Sequence, residues 1–339
     1  MKKNIKEFYL EEMVDILDEW QKPKFHAKQI YSWIYKKMVS DFDLMSDIPI
    51  DLRNKLKEHF YIYDSKIIGV QNSKDGTAKY LFELNDNSII EAVLIPSEKR
   101  VTACISTQVG CKYGCKFCAS GLCGFKRDLT SGEIIEEIWQ LKNNFLGNKL
   151  TNIVFMGIGE PLDNYENLLK AIKIINSEHG FDIGARRITI SSCGIIPAIK
   201  KLSGEGMQIE LSISLHAADD RTRSTLMPVN KKYPLKELIK TCDEYIKKTN
   251  RMITFEYILI KDINSDSQSA VNLSELLKNL KCKVNLIIYN PVKEIKFQPP
   301  DKSVIQNFCN YLFRSGINVT LRKSRGNNID AACGQLKRY

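Results

Sequence analysis

Gly110-Cys111-Lys112-Tyr113-Gly114-Cys115-Lys116-Phe117-Cys118 spaces three thiols as C-x3-C-x2-C. Thiolates at this spacing wrap one corner of a cubane iron–sulfur cluster, each holding one iron, and leave the fourth iron open to another ligand. A structural zinc site is the alternative; it needs four ligands, and Cys123 supplies the last. Structural zinc sites favour paired C-x2-C knuckles, however, and none follows. Five of the ten cysteines, at 104, 111, 115, 118 and 123, are concentrated here. A chain of 339 residues needs no disulfide framework, so this density points to metal or redox chemistry. Cys242, Cys282 and Cys309 lie in apolar-periodic surroundings and read as small core residues.

Outward from this stretch, strand and helix patterns alternate. β-branched runs at 102–107, 152–156, 187–191, 208–214, 253–259 and 283–288, with 318–322 near the end, read as strands. Amphipathic stretches at 131–144, 165–178, 234–248, 267–279 and 303–315 fit between them as helices, the first opened by a capping box of Thr130 and Glu133. This order predicts an α/β core over 101–339, its parallel sheet rolled into a barrel or partial barrel with its chemistry after the strands. Residues 61–100 carry period-two runs at 78–84 and 88–95 around Asn85-Asp86-Asn87, which reads as a small β-hairpin extension. Residues 1–60 read as three helices, an accessory domain for which RNA contact is one of two readings. The second interleaves Lys24, Lys28, Lys36 and Lys37 with Tyr31, Trp33 and Tyr35. That pattern fits an RNA-facing surface, or core aromatics with lysine stems around them.

The formal net charge is +10. Residues 1–100 hold 16 Lys/Arg against 17 Asp/Glu, so the excess follows them. Near the end, Arg314, Arg322, Lys323, Arg325, Lys337 and Arg338 face only Asp330, and Lys112, Lys116, Lys126 and Arg127 surround the cysteine loop. Clustered charge of this kind is either a solvated face or the footprint of a polyanion. No apolar run approaches the roughly 20 residues that span a bilayer. The opening Met1-Lys2-Lys3-Asn4-Ile5-Lys6-Glu7 lacks the apolar core of a secretory signal, so a cytoplasmic protein without membrane attachment is expected.

The cysteine spacing, with Phe117 before the last thiol, and Met156-Gly157-Ile158-Gly159-Glu160-Pro161 one βα unit later together resemble the radical S-adenosylmethionine (SAM) superfamily. A narrower resemblance runs over almost the whole chain. Ile213-Ser214-Leu215-His216-Ala217, Met227-Pro228-Val229-Asn230, Tyr289-Asn290-Pro291 and Ile329-Asp330-Ala331-Ala332-Cys333-Gly334-Gln335-Leu336 are similar to the RlmN/Cfr family of adenine-C2 and adenine-C8 RNA methyltransferases. Asn230-Lys231-Lys232-Tyr233 and Arg322-Lys323-Ser324-Arg325-Gly326 resemble the RlmN branch more closely.

The resemblance implies a partial (β/α)6 radical SAM barrel with a C-terminal catalytic cysteine segment. It implies a [4Fe-4S] cluster on Cys111, Cys115 and Cys118, and SAM contacts at Gly159, Glu160, Ser191, Ser214, Leu215, His216 and Asn290. Cys333 matches the cysteine that becomes S-methylated, Cys104 the second redox cysteine, and Glu91 an acidic residue assigned proton transfer. For Glu91 an exposed strand carboxylate is the plainer reading; for His216, a satisfied strand-end histidine. Cys193 departs from the family at a position usually small and polar. The implied activity is methylation of C2 of adenosine 2503 in 23S rRNA, and of adenosine 37 in some tRNAs. Two SAM are spent per turnover, with flavodoxin or ferredoxin as a low-potential electron donor. C8 methylation, as in the Cfr branch, and a non-catalytic zinc-stabilised RNA-binding protein stay open.

Overall fold

The structure is a computed structural model and describes residues 2–145 and 149–337; Arg338, one of the basic terminal residues, lies outside them. In chain order the strands are β1 (Lys3–Asn4), β2 (Phe60–Tyr61), β3 (Lys66–Asn72), β4 (Ala78–Glu83), β5 (Ile89–Ser97), β6 (Arg100–Cys104) and β7 (Gln108–Gly110). They continue as β8 (Phe125–Asp128), β9 (Asn152–Phe155), β10 (Ile188–Ser192), β11 (Glu210–Ser214), β12 (Ile253–Leu259), β13 (Cys282–Ile288) and β14 (Val319–Arg322). Ten of them form one sheet in the order β14-β13-β12-β11-β10-β9-β6-β5-β4-β3. From β6 to β14 every pairing is parallel, as the alternating pattern predicts. The hairpin expected over 61–100 is a three-stranded antiparallel run that continues this same sheet beyond β6.

Strands of a parallel sheet covered on both faces usually read as unbroken apolar runs. Here they alternate. Ile188, Ile190, Leu211, Ile213, Phe255, Tyr257, Val284 and Leu286 are buried, while Thr189, Ser212, Thr254, Glu256 and Asn285 line a cleft of about 760 Å³. One face of the sheet therefore builds the core and the other builds a vessel. The sheet is open, with β14 at one edge and β3 at the other. The segment after β14 runs across to the antiparallel end: Arg325 Nη1 donates to Pro96 O (2.8 Å), and Gly326 N to Asp75 Oδ2 (3.0 Å).

The first sixty residues hold helices α1 (Leu10–Glu19), α2 (Phe25–Tyr31) and α3 (Ile50–His59), with a π-turn over Ser32–Lys36 where one longer helix is expected. Tyr31 and Tyr35 are buried, so the core reading holds for them; Lys24, Lys28, Lys36 and Lys37 are exposed, and Lys37 lies over the Trp33 ring. This unit seats on α5 (Ser131–Asn144), the helix after the short α4 (Ala119–Leu122). Lys6 Nζ meets Glu136 Oε2 at 2.5 Å with both side chains buried, and Trp139 Nε1 donates to Ile34 O (2.9 Å). Gly132 permits that approach, since a Cβ there would stand 2.2 Å from Asn4 Nδ2. The remaining helices are α6 (Tyr165–Asn176), α7 (Ile196–Leu202), α8 (Asp220–Leu226), α9 (Leu235–Thr249), α10 (Ser267–Leu277) and α11 (Lys302–Arg314).

Candidate active site

The strand pattern at 102–107 overruns: β6 ends at Cys104, and the chain turns into a short hairpin of β7 and β8. The cysteine loop spans this hairpin, with Cys111 N donating to Gly124 O (3.0 Å). Cys118 immediately precedes α4, and Gly121 lets that helix press on the loop, because a Cβ there would meet Cys115 O at 2.9 Å. Lys116 N donates to Leu226 O (2.9 Å), which ties the loop to the end of α8. Cys111, Cys115 and Cys118 line one cavity with Gly159, Glu160, Ser191, Ser214 and His216. Five of the seven expected SAM contacts thus face the three thiols.

Glu160 is buried; its Oε2 accepts from Cys193 N (2.7 Å) and its Oε1 from Leu162 N (3.1 Å). Burial raises its pKa, and the hydrogen bonds from Cys193 work against that. Gly159 has φ +104°, and a Cβ there would stand 2.6 Å from Gln108 Cβ, so the turn demands glycine. His216 also has positive φ, +59°. Its Nδ1 accepts from Ile258 N (3.0 Å), and burial, with Arg223 nearby, pulls its pKa down to about 3, so the ring is neutral. Phe117 packs edge-on against it at 4.7 Å. Leu215 and Asn290 lie outside the lining of this cavity. Leu215 is core and lines neither cavity; its carbonyl accepts from Arg223 Nε (3.1 Å). Asn290 lines the larger cleft and donates from Nδ2 to Cys333 O (3.2 Å).

Cys104 lines that cleft too, and Cys333 lines both cavities. Met156, Glu256, Ile287 and Arg322 are common to both, so the two spaces meet at Cys333. Burial pushes the Cys104 thiol well up, helped by Cys333 and Glu137, while Arg322 opposes. Glu91 corrects the plainer of its two readings. It is not an exposed strand carboxylate but wholly buried, ion-paired to Lys79, and it lines neither cavity.

Two groups escape a reading of the sequence. Glu256 stands mid-strand on β12, with Oε1 accepting from Asn285 Nδ2 (3.0 Å) and Oε2 buried without a hydrogen bond. Arg223 is fully buried in α8 and donates to Leu215 O, Asn230 Oδ1 (2.8 Å), Cys193 O (2.8 Å) and Ser214 O (3.2 Å). A polar stretch, Asp219-Asp220-Arg221-Thr222-Arg223, gives no hint of that burial. Arg223 fixes the strand ends that carry the expected SAM contacts.

The donor set fits an iron–sulfur cluster. Three thiols from one loop share a cavity with a buried carboxylate suited to an ammonium group. A structural zinc ion needs a fourth ligand beside the three thiols. Cys123 lies outside that cavity's lining.

Comparison with known proteins agrees with this geometry. The Radical SAM superfamily matches residues 105–273, and the ribosomal RNA large subunit methyltransferase N-terminal domain matches residues 3–62. A probable dual-specificity RNA methyltransferase RlmN of Caldanaerobacter subterraneus is 48% identical over 336 residues, 99% of this chain and 98% of its own. The chain belongs to the RlmN family of radical SAM RNA methyltransferases. The dual-specificity RNA methyltransferase RlmN of Nautilia profundicola is 44% identical, with 99% of this chain and 98% of its own covered. The crystal structure of a radical SAM methyltransferase from Sphaerobacter thermophilus matches with a TM-score of 0.94 at 40% identity, covering 98% of this chain and 99% of that one. Membership of this family of radical SAM RNA methyltransferases implies SAM and a [4Fe-4S] cluster. It removes the non-catalytic zinc reading. No helix among the described residues is long and apolar enough to cross a membrane.

Proposed function

We propose that this enzyme methylates C2 of adenosine 2503 in 23S rRNA and of adenosine 37 in some tRNAs, in the cytoplasm, through S-methylated Cys333. The observation that carries this reading is the place of Cys333 at the junction of the two cavities. On one side are the cysteine loop and the expected SAM contacts; on the other is Cys104 in the polar vessel. When bound, the cluster, reduced by a donor such as flavodoxin or ferredoxin, supplies the electron that cleaves SAM, and Cys111, Cys115 and Cys118 would hold it.

Two SAM are used, one to methylate the Cys333 thiol and one to remove a hydrogen atom from that S-methyl group, which lets its carbon add to C2. Cys333 presents the carbon to the ring and stays joined to it. The adduct gives up one electron, which the oxidised cluster would accept, and Cys104 takes the ring proton. The Cys104 sulfur then bonds to the Cys333 sulfur as the Cys333 C–S bond breaks; the released carbon keeps that electron pair and takes the proton from Cys104 to become the methyl group. Both sulfurs must come within disulfide reach, Cα atoms about 7 Å apart at most. A thiol reductant reopens the disulfide. The adenine must leave its stack to enter, and Arg100, Arg186, Lys283 and Lys323 on the cleft offer contacts for its phosphates.

Cys104→Ala tests the two-thiol step. Cys333 still accepts the methyl group and joins the base, but nothing resolves the adduct, so protein accumulates on RNA as a nuclease-sensitive band in a denaturing gel. Normal turnover without that band would refute the role. Mass spectrometry of digested rRNA and tRNA separates 2-methyladenosine from 8-methyladenosine and decides between the C2 and C8 branches.

A further inference from the structure

Lys79 Nζ and Glu91 Oε1 pair at 3.0 Å, with side chains only 2% and 1% exposed. Burying both charges carries a desolvation cost that a surface pair avoids, so the pair invites a reason beyond stability. Register puts the pair on the Cys104 face of the sheet. Lys79 is opposite Val93, Val93 is opposite Cys104, and Glu91 is two residues from Val93 on β5. Each partner also holds backbone of the terminal segment. Lys79 Nζ donates to Asp330 O (3.2 Å), and Glu91 Oε2 accepts from Lys337 N (2.9 Å). These two groups bracket Cys333. Between them the turn is pinned from the cluster side, with Ala119 N on Gly334 O (2.7 Å) and Ser120 Oγ on Leu336 O (2.6 Å).

We propose that the Lys79–Glu91 pair is a clasp that fixes both ends of the Cys333 turn, with Lys79 a positioning residue for the thiol. The turn belongs to no strand or long helix, so its own backbone cannot set where Cys333 stands. A thiol serving two cavities must be held within a fraction of an ångström by supporting groups. A charge pair with one partner on each end of the turn supplies that. The inference rests on the proposed role of Cys333, but the clasp itself is a property of the turn.

Lys79→Met alone would take the Lys79 charge from a buried carboxylate, so the test pairs it with Glu91→Gln in the holoenzyme with SAM. Three measurements are made: iron content with SAM cleavage, amide hydrogen exchange over residues 326–337, and S-methylation of Cys333 by intact mass. The double variant should keep iron and SAM cleavage, exchange faster across the turn, and methylate Cys333 about 100-fold more slowly, the scale of a 1 Å misplacement. Lys79→Arg, which keeps the charge and can donate to both acceptors, should recover most of both losses. Wild-type exchange and methylation in the double variant would overturn the proposal. So would loss of iron in every variant, Lys79→Arg included, because the pair would then serve the whole fold. If wild-type Cys333 takes no methyl group, the proposed function falls, and the exchange measurement alone decides on the clasp.

Discussion

The cysteine loop and the Cys333 turn carry four of the five cysteines around one cavity, yet they are held in opposite ways. The loop is local. Its three thiols lie within eight residues, inside a hairpin closed by β7 and β8. The turn is assembled from afar, by Lys79 on β4, Glu91 on β5, Asn290 after β13 and Ala119 on α4. Ligands that must bind one group together are conveniently short in sequence. A thiol that must work between two cavities is better held by several rigid elements, each able to fix one direction.

The difference predicts separable failures. Cys111→Ala, Cys115→Ala or Cys118→Ala should each abolish bound iron and SAM cleavage, because one iron loses its thiolate. Cys333→Ala should leave iron and SAM binding intact while RNA methylation vanishes. Iron analysis after anaerobic purification, beside methyl transfer to RNA, reads both. Loss of iron in Cys333→Ala, or its full retention in Cys115→Ala, would erase the distinction.

The same difference decides how much the sequence discloses. The cysteine loop, the glycine turn at 157–159 and the alternating polar strands are legible because each is a local pattern. Lys79 and Asp330 meet across 251 positions, so nothing local announces the clasp. Arg223 sits in a polar run, and three of the four oxygens that satisfy it are backbone carbonyls, which leave no mark in a sequence. β6 is read too long because Ile105 continues the apolar pattern while its amide donates to Val154 O (2.9 Å) at the turn. The tyrosines of the second helix fit core and RNA surface equally until packing is known.

Arg223 sharpens the comparison on the cluster side. Arg223→Met removes hydrogen bonds to four acceptors, leaving buried oxygens at Cys193, Ser214, Leu215 and Asn230 that no longer receive the guanidinium. Destabilisation of about 3–5 kcal/mol is expected, the range for stranding buried polar and charged partners. SAM affinity should fall further than S-methylation of Cys333 at saturating SAM, because the strand ends move and the turn does not. Calorimetric Tm and SAM titration measure this. An unchanged SAM affinity in a folded variant would assign Arg223 to stability alone.

Acidification should separate the two regions by a smaller margin. His216, on the cluster side, has a folded pKa of about 3 against an ordinary 6.5, lowered by burial and by Arg223. The unfolded chain binds this proton first, so the stability tied to neutral His216 is present above about 6.5 and declines as pH falls towards 3. Asp75 acts on the other side, accepting from Thr77 N and Gly326 N (both 3.0 Å) where the terminal segment crosses to β4. Burial opposes its ionisation, but those hydrogen bonds prevail and hold its pKa at about 2 against an ordinary 3.8. Its contribution therefore persists above about 3.8 and is lost as pH falls through 2. Hydrogen exchange between about pH 6.5 and 4 should loosen the 214–217 and 117–118 segments while 326–337 stays protected. His216→Asn should flatten the first decline, and Asp75→Asn should leave it untouched. Simultaneous loosening of both segments would mean that the cysteine loop and the Cys333 turn are one cooperative unit.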